Sequence, residues 1–265
     1  MLFRLSTYVL LSAFAIFAVW ETFRPRRPLV APVGRRWIHA TLLAFAVNSP
    51  LSWIYPATAV VLASAVSTSR YGLLNRGLPF WVRFFVGFVL LDLLRYAQHR
   101  LYHAIPALWR IHRVHHSDPD CDWSTSLLFH PGELLLTQGT YLGVIALLAP
   151  PPSAVLCLEL VTIALNIFEH ANISIPSHVD AAIRRIFITP DVHHTHHSAA
   201  FCDQNTNFGT VFSFWDRLFG TYLPVPAAGY GNLKMGLPEL VGQRGLNLLG
   251  MLALPFRKIV SLSNS

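Results

Sequence analysis

Residues 78–116 read LPFWVRFFVGFVLLDLLRYAQHRLYHAIPALWRIHRVHH. The first half, Leu78 to about Gln98, is apolar and long enough to cross a bilayer as a helix. The second half is polar and carries His99, His103, His112, His115 and His116. On a helix, positions i, i+3 and i+4 share a face. His99 and His103 thus aim two imidazoles at one point, and H-R-V-H-H (His112, His115, His116) aims three. The H-x-x-H-H spacing recurs in H-H-T-H-H, at His193, His196 and His197, while His194 points roughly 100° away and is not expected to be a ligand. With 13 His in 265 residues, one such box is expected by chance roughly 0.03 times, so two are not accidental.

Composition sets the surroundings. The chain is 53% hydrophobic and only 12% charged, about half the charge of an ordinary soluble domain. That excludes a disordered chain, a collagen and a small disulfide scaffold. The net charge of +7 is mostly Arg. In so apolar a chain it marks membrane borders rather than a nucleic-acid partner. Cys121, Cys157 and Cys202 form no C-x-x-C pair, which gives no thiolate metal site and suits a reducing compartment.

Working outward, residues 5–22 form a first apolar span, followed by Arg24, Arg26, Arg27, Arg35 and Arg36 in one loop. Those arginines are expected on the cytoplasmic side. Charge after rather than before the run indicates a retained helix, not a cleaved leader. Trp37 to about Ser67 is apolar but interrupted by Asn48, Pro50 and Pro56, as in a kinked or partly re-entrant helix. Residues 134–149 and 153–169 form an apolar hairpin around Pro150, Pro151 and Pro152. About five crossings follow, with the N-terminus outside. The expected fold is all-α and multi-pass in a bilayer, with a cytoplasmic helical cap. The expected organisation is N-terminal transmembrane helices over 1–98, a catalytic region over 85–225 that includes the hairpin (about 134–169), and a cytoplasmic tail over 226–265.

With His170 of F-E-H-A-N the polar segments hold nine candidate imidazoles, which without a thiolate exceed one zinc site, satisfied by four ligands. They suit two ions with four or five nitrogens each, and iron leads among metals that imidazole favours. Paired b-type haems would need histidines facing each other across helices. A zinc transporter or metal store is a non-enzymatic alternative, but transporters place ligands near the bilayer midplane, and these boxes sit just beyond the spans.

With those residues in view, the set H-x-x-x-H, H-x-x-H-H, H-x-x-H-H resembles the fatty acid hydroxylase and sterol desaturase superfamily of integral-membrane di-iron enzymes. The context agrees over roughly 85–225: D-L-L-R-Y-A-Q-H-R, L-W-R-I-H-R-V-H-H-S, F-H-P-G-E, F-E-H-A-N-I, T-P-D-V-H-H-T-H-H-S, N-T-N-F-G and F-W-D-R-L-F-G-T. The resemblance implies His99, His103, His112, His115, His116, His193, His196 and His197 as iron ligands, with His170 the ninth. Some relatives carry another His four residues beyond that one, where this chain has Ser174. Asn166, Asn172, His178, His130 or a water could supply a tenth ligand. It further implies two iron ions, O2 as co-substrate, a membrane lipid substrate, and hydroxylation or desaturation of an unactivated C–H bond. The expected location is the bacterial inner membrane or the endoplasmic reticulum. No flavin, nicotinamide or haem-domain motif is visible, so electrons are expected from a separate ferredoxin, cytochrome or reductase.

Asp92 lies seven residues before His99 on the same helical face. It is expected either to accept an N–H from a ligand imidazole or to pair with Arg95 or Arg83. Asp216 and Glu133 are candidates for the same role, or else surface or capping carboxylates. Trp215, Phe214 and Phe219 are expected to pack or lie at the interface, and Phe80 to Phe88 to form a lipid-facing or packing stripe.

Overall fold

The computed structural model describes residues 2–47, 54–240 and 245–258. Among the described residues there is no strand, and only isolated bridges join extended segments, such as Pro25 with Ile173. The long helices are α1 (Leu2–Phe23), α2 (Val33–Thr41, running into a π turn at Leu42–Val47), α3 (Ile54–Val66), α4 (Phe80–Ala104), α5 (Pro106–His112), α6 (Pro131–Leu148) and α7 (Pro152–His170). The second apolar stretch is thus α2 with its π turn, then α3. Asn48 and Pro50 lie outside the described residues, and Pro56 falls in the first turns of α3.

Proline sets the boundaries. α5, α6 and α7 each begin on a proline, which lacks the N–H that a first helical turn leaves unbonded anyway. Ile105, ahead of Pro106, is extended, so α4 stops and α5 sets off on a new axis. α6 ends at Ala149, held at φ 49, because Pro150 cannot continue the helix. Gly87 of α4 faces this turn: a Cβ there would lie 2.7 Å from Pro150 Cβ. Its absence lets α4 close on the hairpin.

α3, α4, α6 and α7 enclose one core, with Ala63, Leu91, Ile145 and Leu158 fully buried. α1 packs along α7. At 25 residues, α4 reaches roughly 37 Å. It therefore crosses the core and still carries His99 and His103 beyond it. A second core lies beside the cap, where Ala40 and Leu43 meet Val114, Leu128, Leu237, Met251 and Leu254. Residues 237–240 and 245–254 are part of the folded cap, and buried Arg113 donates to the Leu254 and Arg257 carbonyls.

Among the described residues, two helices are long and apolar enough to cross a membrane, Leu5–Phe23 and Pro152–His170. The outward faces are apolar well beyond them. Leu11, Ile16 and Val19 on α1, Phe80, Trp81 and Phe85 on α4, and Leu135, Leu136 and Leu147 on α6 are all exposed. Phe80, Trp81, Phe84 and Phe85 form a run of ring contacts there.

The arginine loop does more than mark a side. Arg36 is buried, with Nε and Nη2 donating to the two oxygens of Asp118 (2.6 Å each) and Nη1 to Asp122 (2.7 Å). Arg26 is bidentate to Asp191, and Asp120 accepts the Val30 and Ala31 N–H groups. The loop is therefore tied to both histidine-bearing segments, a function invisible to a charge-topology argument.

Candidate metal centre

The nine histidines converge in two adjoining groups. His99, His103, His112, His116 and His196 form one, and His115, His170, His193 and His197 the other; within each, the ligand nitrogens lie within 4.8 Å of one another. The rings of His116 and His197 stack at 4.4 Å across the boundary. His170 comes from the end of α7, and His193 and His196 from α8 (Pro190–His196), with His197 its cap.

Each H-x-x-H-H box does not aim three rings at one point, as its spacing suggested. In both boxes the i and i+4 rings enter one group and the i+3 ring enters the other. His112 and His116 go with the five, His115 with the four; His193 and His197 go with the four, His196 with the five. For His193, His196 and His197, on α8 and its cap, helix geometry gives the reason: at 100° per residue, i+4 returns to within 40° of i, whereas i+3 falls 60° short on the opposite side. His112 closes α5 and the chain turns into a 3-10 segment at His115–Ser117, where the same division is reached without a continuous α-helix. Two centres close together, one on each flank of the box, separate those directions.

Several rings have their outer nitrogen engaged. His112 Nδ1 lies 2.7 Å from Glu133 Oε1, His99 Nδ1 3.0 Å from the Phe208 carbonyl, His196 Nδ1 2.7 Å from the Thr206 carbonyl, and His170 Nδ1 2.6 Å from the Asn166 carbonyl. A carbonyl can only accept, so the Nδ1 of His99, His196 and His170 carries the proton, and their Nε2 is a bare lone pair. The buried Nε2 atoms of His99, His112 and His196 have no hydrogen-bond partner. Burial pushes His196 down to about 3, and burial with neighbouring imidazoles holds His99, His103, His115, His116, His193 and His197 well below the usual histidine range. Neutral rings with inward lone pairs and outward protons are what a divalent metal requires. The donor set therefore fits metal ions.

His194 stands outside both groups. Arg27 Nη2 donates to its Nδ1 (2.9 Å), which leaves Nε2–H to donate to the His170 carbonyl (3.0 Å). Of the candidates for a tenth ligand, His130 caps α6, His178 is exposed, and Asn172 is bonded to Arg27. Asn166 lines the cavity beside the centre.

The carboxylates divide. Glu133 is buried and does what was expected of it toward His112. Asp92 neither serves an imidazole nor pairs with Arg95 or Arg83. It accepts Trp215 Nε1–H at 2.8 Å, while Arg95 pairs with Glu159 (2.8 Å) and Arg83 donates to the Ser67 carbonyl. Trp215 is the reason: its indole N–H, buried with its ring, needs an acceptor. Asp216 acts one step further out than expected. It accepts the Phe208 and Gly209 N–H groups and the Thr221 hydroxyl, thereby fixing the carbonyl that holds His99. Burial lifts its carboxyl to about 6 against those hydrogen bonds. The N-T-N-F-G segment makes this turn possible. Asn207 sits at φ 54, which asparagine tolerates, and a Cβ at Gly209 would lie 2.9 Å from Asp216 Oδ2. Backbone carbonyls as imidazole acceptors leave no mark in a sequence, so three of the four outer partners could not be found there.

A cavity of about 190 Å³ opens against His99, His112, His115, His170 and His193, which belong to both groups, and runs between α4, α6 and α7. Phe129 stacks on His115 at 4.7 Å and Tyr102 on His112 at 5.4 Å, supporting the rings at its wall.

An all-helical scaffold holding two adjoining, all-histidine pockets suited to metal ions is the class that fold and site define. The chain belongs to the fatty acid hydroxylase family, whose model matches residues 84–221, just over half of the sequence. It is similar to an ornithine lipid hydroxylase of Rhizobium tropici (28% identical over 65% of this chain and 50% of that protein). It is also similar to the cholesterol 25-hydroxylase of Rattus norvegicus (30% over 52% and 46%) and the alkylglycerol monooxygenase of Homo sapiens (26% over 54% and 30%). The matched segment spans half or less of each relative's own length. No solved structure matches the chain.

Proposed function

We propose that this protein is a multi-pass membrane oxygenase that hydroxylates an unactivated C–H bond of a lipid at a di-iron centre. O2 is the co-substrate, and a separate ferredoxin, cytochrome or reductase supplies the electrons. The observation that carries the reading is the set of buried Nε2 atoms of His99, His112 and His196, brought together without a hydrogen-bond partner. Family membership and relatives named as hydroxylases and monooxygenases support the reaction class. The substrates in those names, an ornithine lipid, cholesterol and an alkylglycerol, are all lipids.

The five and four histidines would hold two iron ions, which when bound would supply the redox chemistry of the reaction; overall, R–H, O2, two electrons and two protons give R–OH and water. The chain's own part is orientation and exclusion. Glu133 fixes the tilt of His112, and the Phe208, Thr206 and Asn166 carbonyls fix His99, His196 and His170. The cavity presents a substrate to rings of both groups at once. The exposed apolar faces of α1, α4 and α6 suit contact with acyl chains. In this arrangement α1, α2 and α3, the first part of α4, α6 and α7 lie in the bilayer. The arginine loop and histidine cap then face the cytoplasm, of a bacterial inner membrane or of the endoplasmic reticulum.

Lipid mass spectrometry of membranes with and without the expressed chain tests this. A lipid species one oxygen atom heavier, present with wild type and absent with His112→Ala, is the expected result. An unchanged lipid profile, or the same species with His112→Ala, would overturn it.

A further inference from the structure

Part of the histidine cap runs back along α4 instead of away from it. Beyond Phe208, whose carbonyl holds His99, the chain follows α4 toward its apolar end. Phe219 stacks on Tyr96 at 5.3 Å, Trp215 donates to Asp92, and Phe212 meets Phe88 at 6.0 Å. Asp92 and Phe88 precede His99 by 7 and 11 residues, about 10 and 16 Å of helix. These contacts fall on the turns of α4 that the proposed arrangement puts in the bilayer.

The outward side of this segment is apolar. In the short helix Phe214–Leu218, Trp215 and Asp216 face inward and are buried, while Phe214, Arg217 and Leu218 share the exposed side. Leu218 is 67% exposed, and Phe219 and Ile186 are exposed as well. Residues 186–188 pair with 211–213: Ser213 N–H donates to the Ile186 carbonyl and Ile188 N–H to the Val211 carbonyl. That pairing satisfies backbone groups that hydrocarbon could not. Between residues 177 and 230 the exposed charged side chains are Arg185 and Arg217. Asp180, Asp203 and Asp216 are buried, and half-buried Asp191 is paired with Arg26.

We propose that residues 185–187 and 212–219 form an interfacial membrane anchor. Ile186, Phe214, Leu218 and Phe219 sit among the acyl chains of the leaflet beside α4, and Arg185 and Arg217 pair with lipid phosphates. Two features select lipid over a second copy of this chain as the occupant. The patch adjoins the span of α4, whose Phe85 and Trp81 are exposed one and two turns beyond Phe88. A second copy packed on this face would set cation against cation with no exposed carboxylate between them, whereas phosphate supplies the missing charge. Gly209 and Thr210, on the same segment, line the cavity. The anchor therefore holds the cavity at the level of the leaflet, where a lipid reaches the histidine groups without crossing water. This inference rests on the proposed bilayer placement of α4.

The test uses the full chain, iron-loaded, in nanodiscs of phosphatidylcholine and phosphatidylglycerol. Cys157→Ala and Cys202→Ser remove the accessible thiols, Cys121 being buried. A single nitrobenzoxadiazole label is then placed at Leu218→Cys or at Ile186→Cys, and iron content shows that each variant is folded. Trp81→Cys on α4 and Val30→Cys in the arginine loop, both at exposed positions, are the lipid and water references. Quenching is read with doxyl-labelled phosphatidylcholine from within the leaflet and with iodide from water. The labels at 218 and 186 are expected to follow the one at 81. Doxyl lipid should quench them, and iodide about tenfold less than at position 30, because an ion enters hydrocarbon at high cost. Iodide quenching at both positions equal to that at position 30 would overturn the proposal. Shielding from both quenchers in a chain that runs as a dimer would overturn it too, by giving the face to a second copy. Doxyl quenching at position 81 without it at 218 and 186 sinks this inference alone. A label at position 81 open to iodide sinks the spanning assignment of α4, and this inference with it.

Discussion

The two histidine groups are built differently. In the group of five, His99, His112 and His196 are each held from outside, by the Phe208 carbonyl, Glu133 and the Thr206 carbonyl, and their inner nitrogens stand free. In the group of four, only His170 has a comparable outer bond, to the Asn166 carbonyl. There the inner nitrogens press together instead: His115 to His170 at 3.1 Å, His170 to His193 at 3.0 Å and His193 to His197 at 3.1 Å. One group is aimed by hydrogen bonds, the other by packing, with Phe129 against His115 and His116 against His197. A group aimed by bonds should respond to mutation of residues outside it. One aimed by packing with no ligand to spare should respond to loss of a ligand.

The largest effect is therefore expected from His193→Ala, which leaves three imidazoles in the group of four. Iron should fall from about two per chain to about one, with the group of five still loaded. Retention of both ions would break the distinction. Next comes Glu133→Ala, which frees the His112 ring; affinity for one of the two ions should drop by about 10–100-fold. Metal titration followed by optical spectroscopy should show two unequal phases where wild type shows two close ones, and Glu133→Gln, which keeps an acceptor, should restore much of the loss. Asp216→Ala strands the Phe208 and Gly209 N–H groups, and a loss of about 1–3 kcal/mol in unfolding free energy is expected. Its effect on metal should be confined to the group that contains His99. The smallest effect is expected from Arg27→Met, which removes the donor to His194, itself bonded to the His170 carbonyl. At this half-buried site about 1 kcal/mol of stability should be lost, with the iron content kept.

Much of this centre was legible in the sequence, and the limits are physical. Periodicity named eight of the nine histidines and set His194 aside, because 100° per residue separates neighbours whatever the fold; His170, outside any spaced box, came from the family resemblance. The same periodicity suggested three rings per point, since it carries no information on how many centres lie nearby; the split of i+3 from i and i+4 needed tertiary placement. Asp92 illustrates the hazard of proximity in sequence. It shares a face with His99, but Trp215, far along the chain, claims it. Arg36 illustrates the reverse. Composition marked it as a border charge, and only the folded chain brings it, buried, to Asp118 and Asp122, just after the second histidine box. Where described, the apolar stretches became helices as expected, yet among the described residues only α1 and α7 meet a strict spanning composition. α4 carries Arg83, Asp92 and Arg95 among its apolar residues.

The central claim is that nine histidines make two adjoining metal centres, five and four. Iron content per chain, measured by elemental analysis alongside quantitative amino-acid analysis on the full chain purified with iron supplied, tests it most directly. About two irons per chain in wild type and about one in His193→Ala is the expected result. A wild type with one iron or less, or with both ions retained after His193→Ala, would contradict it.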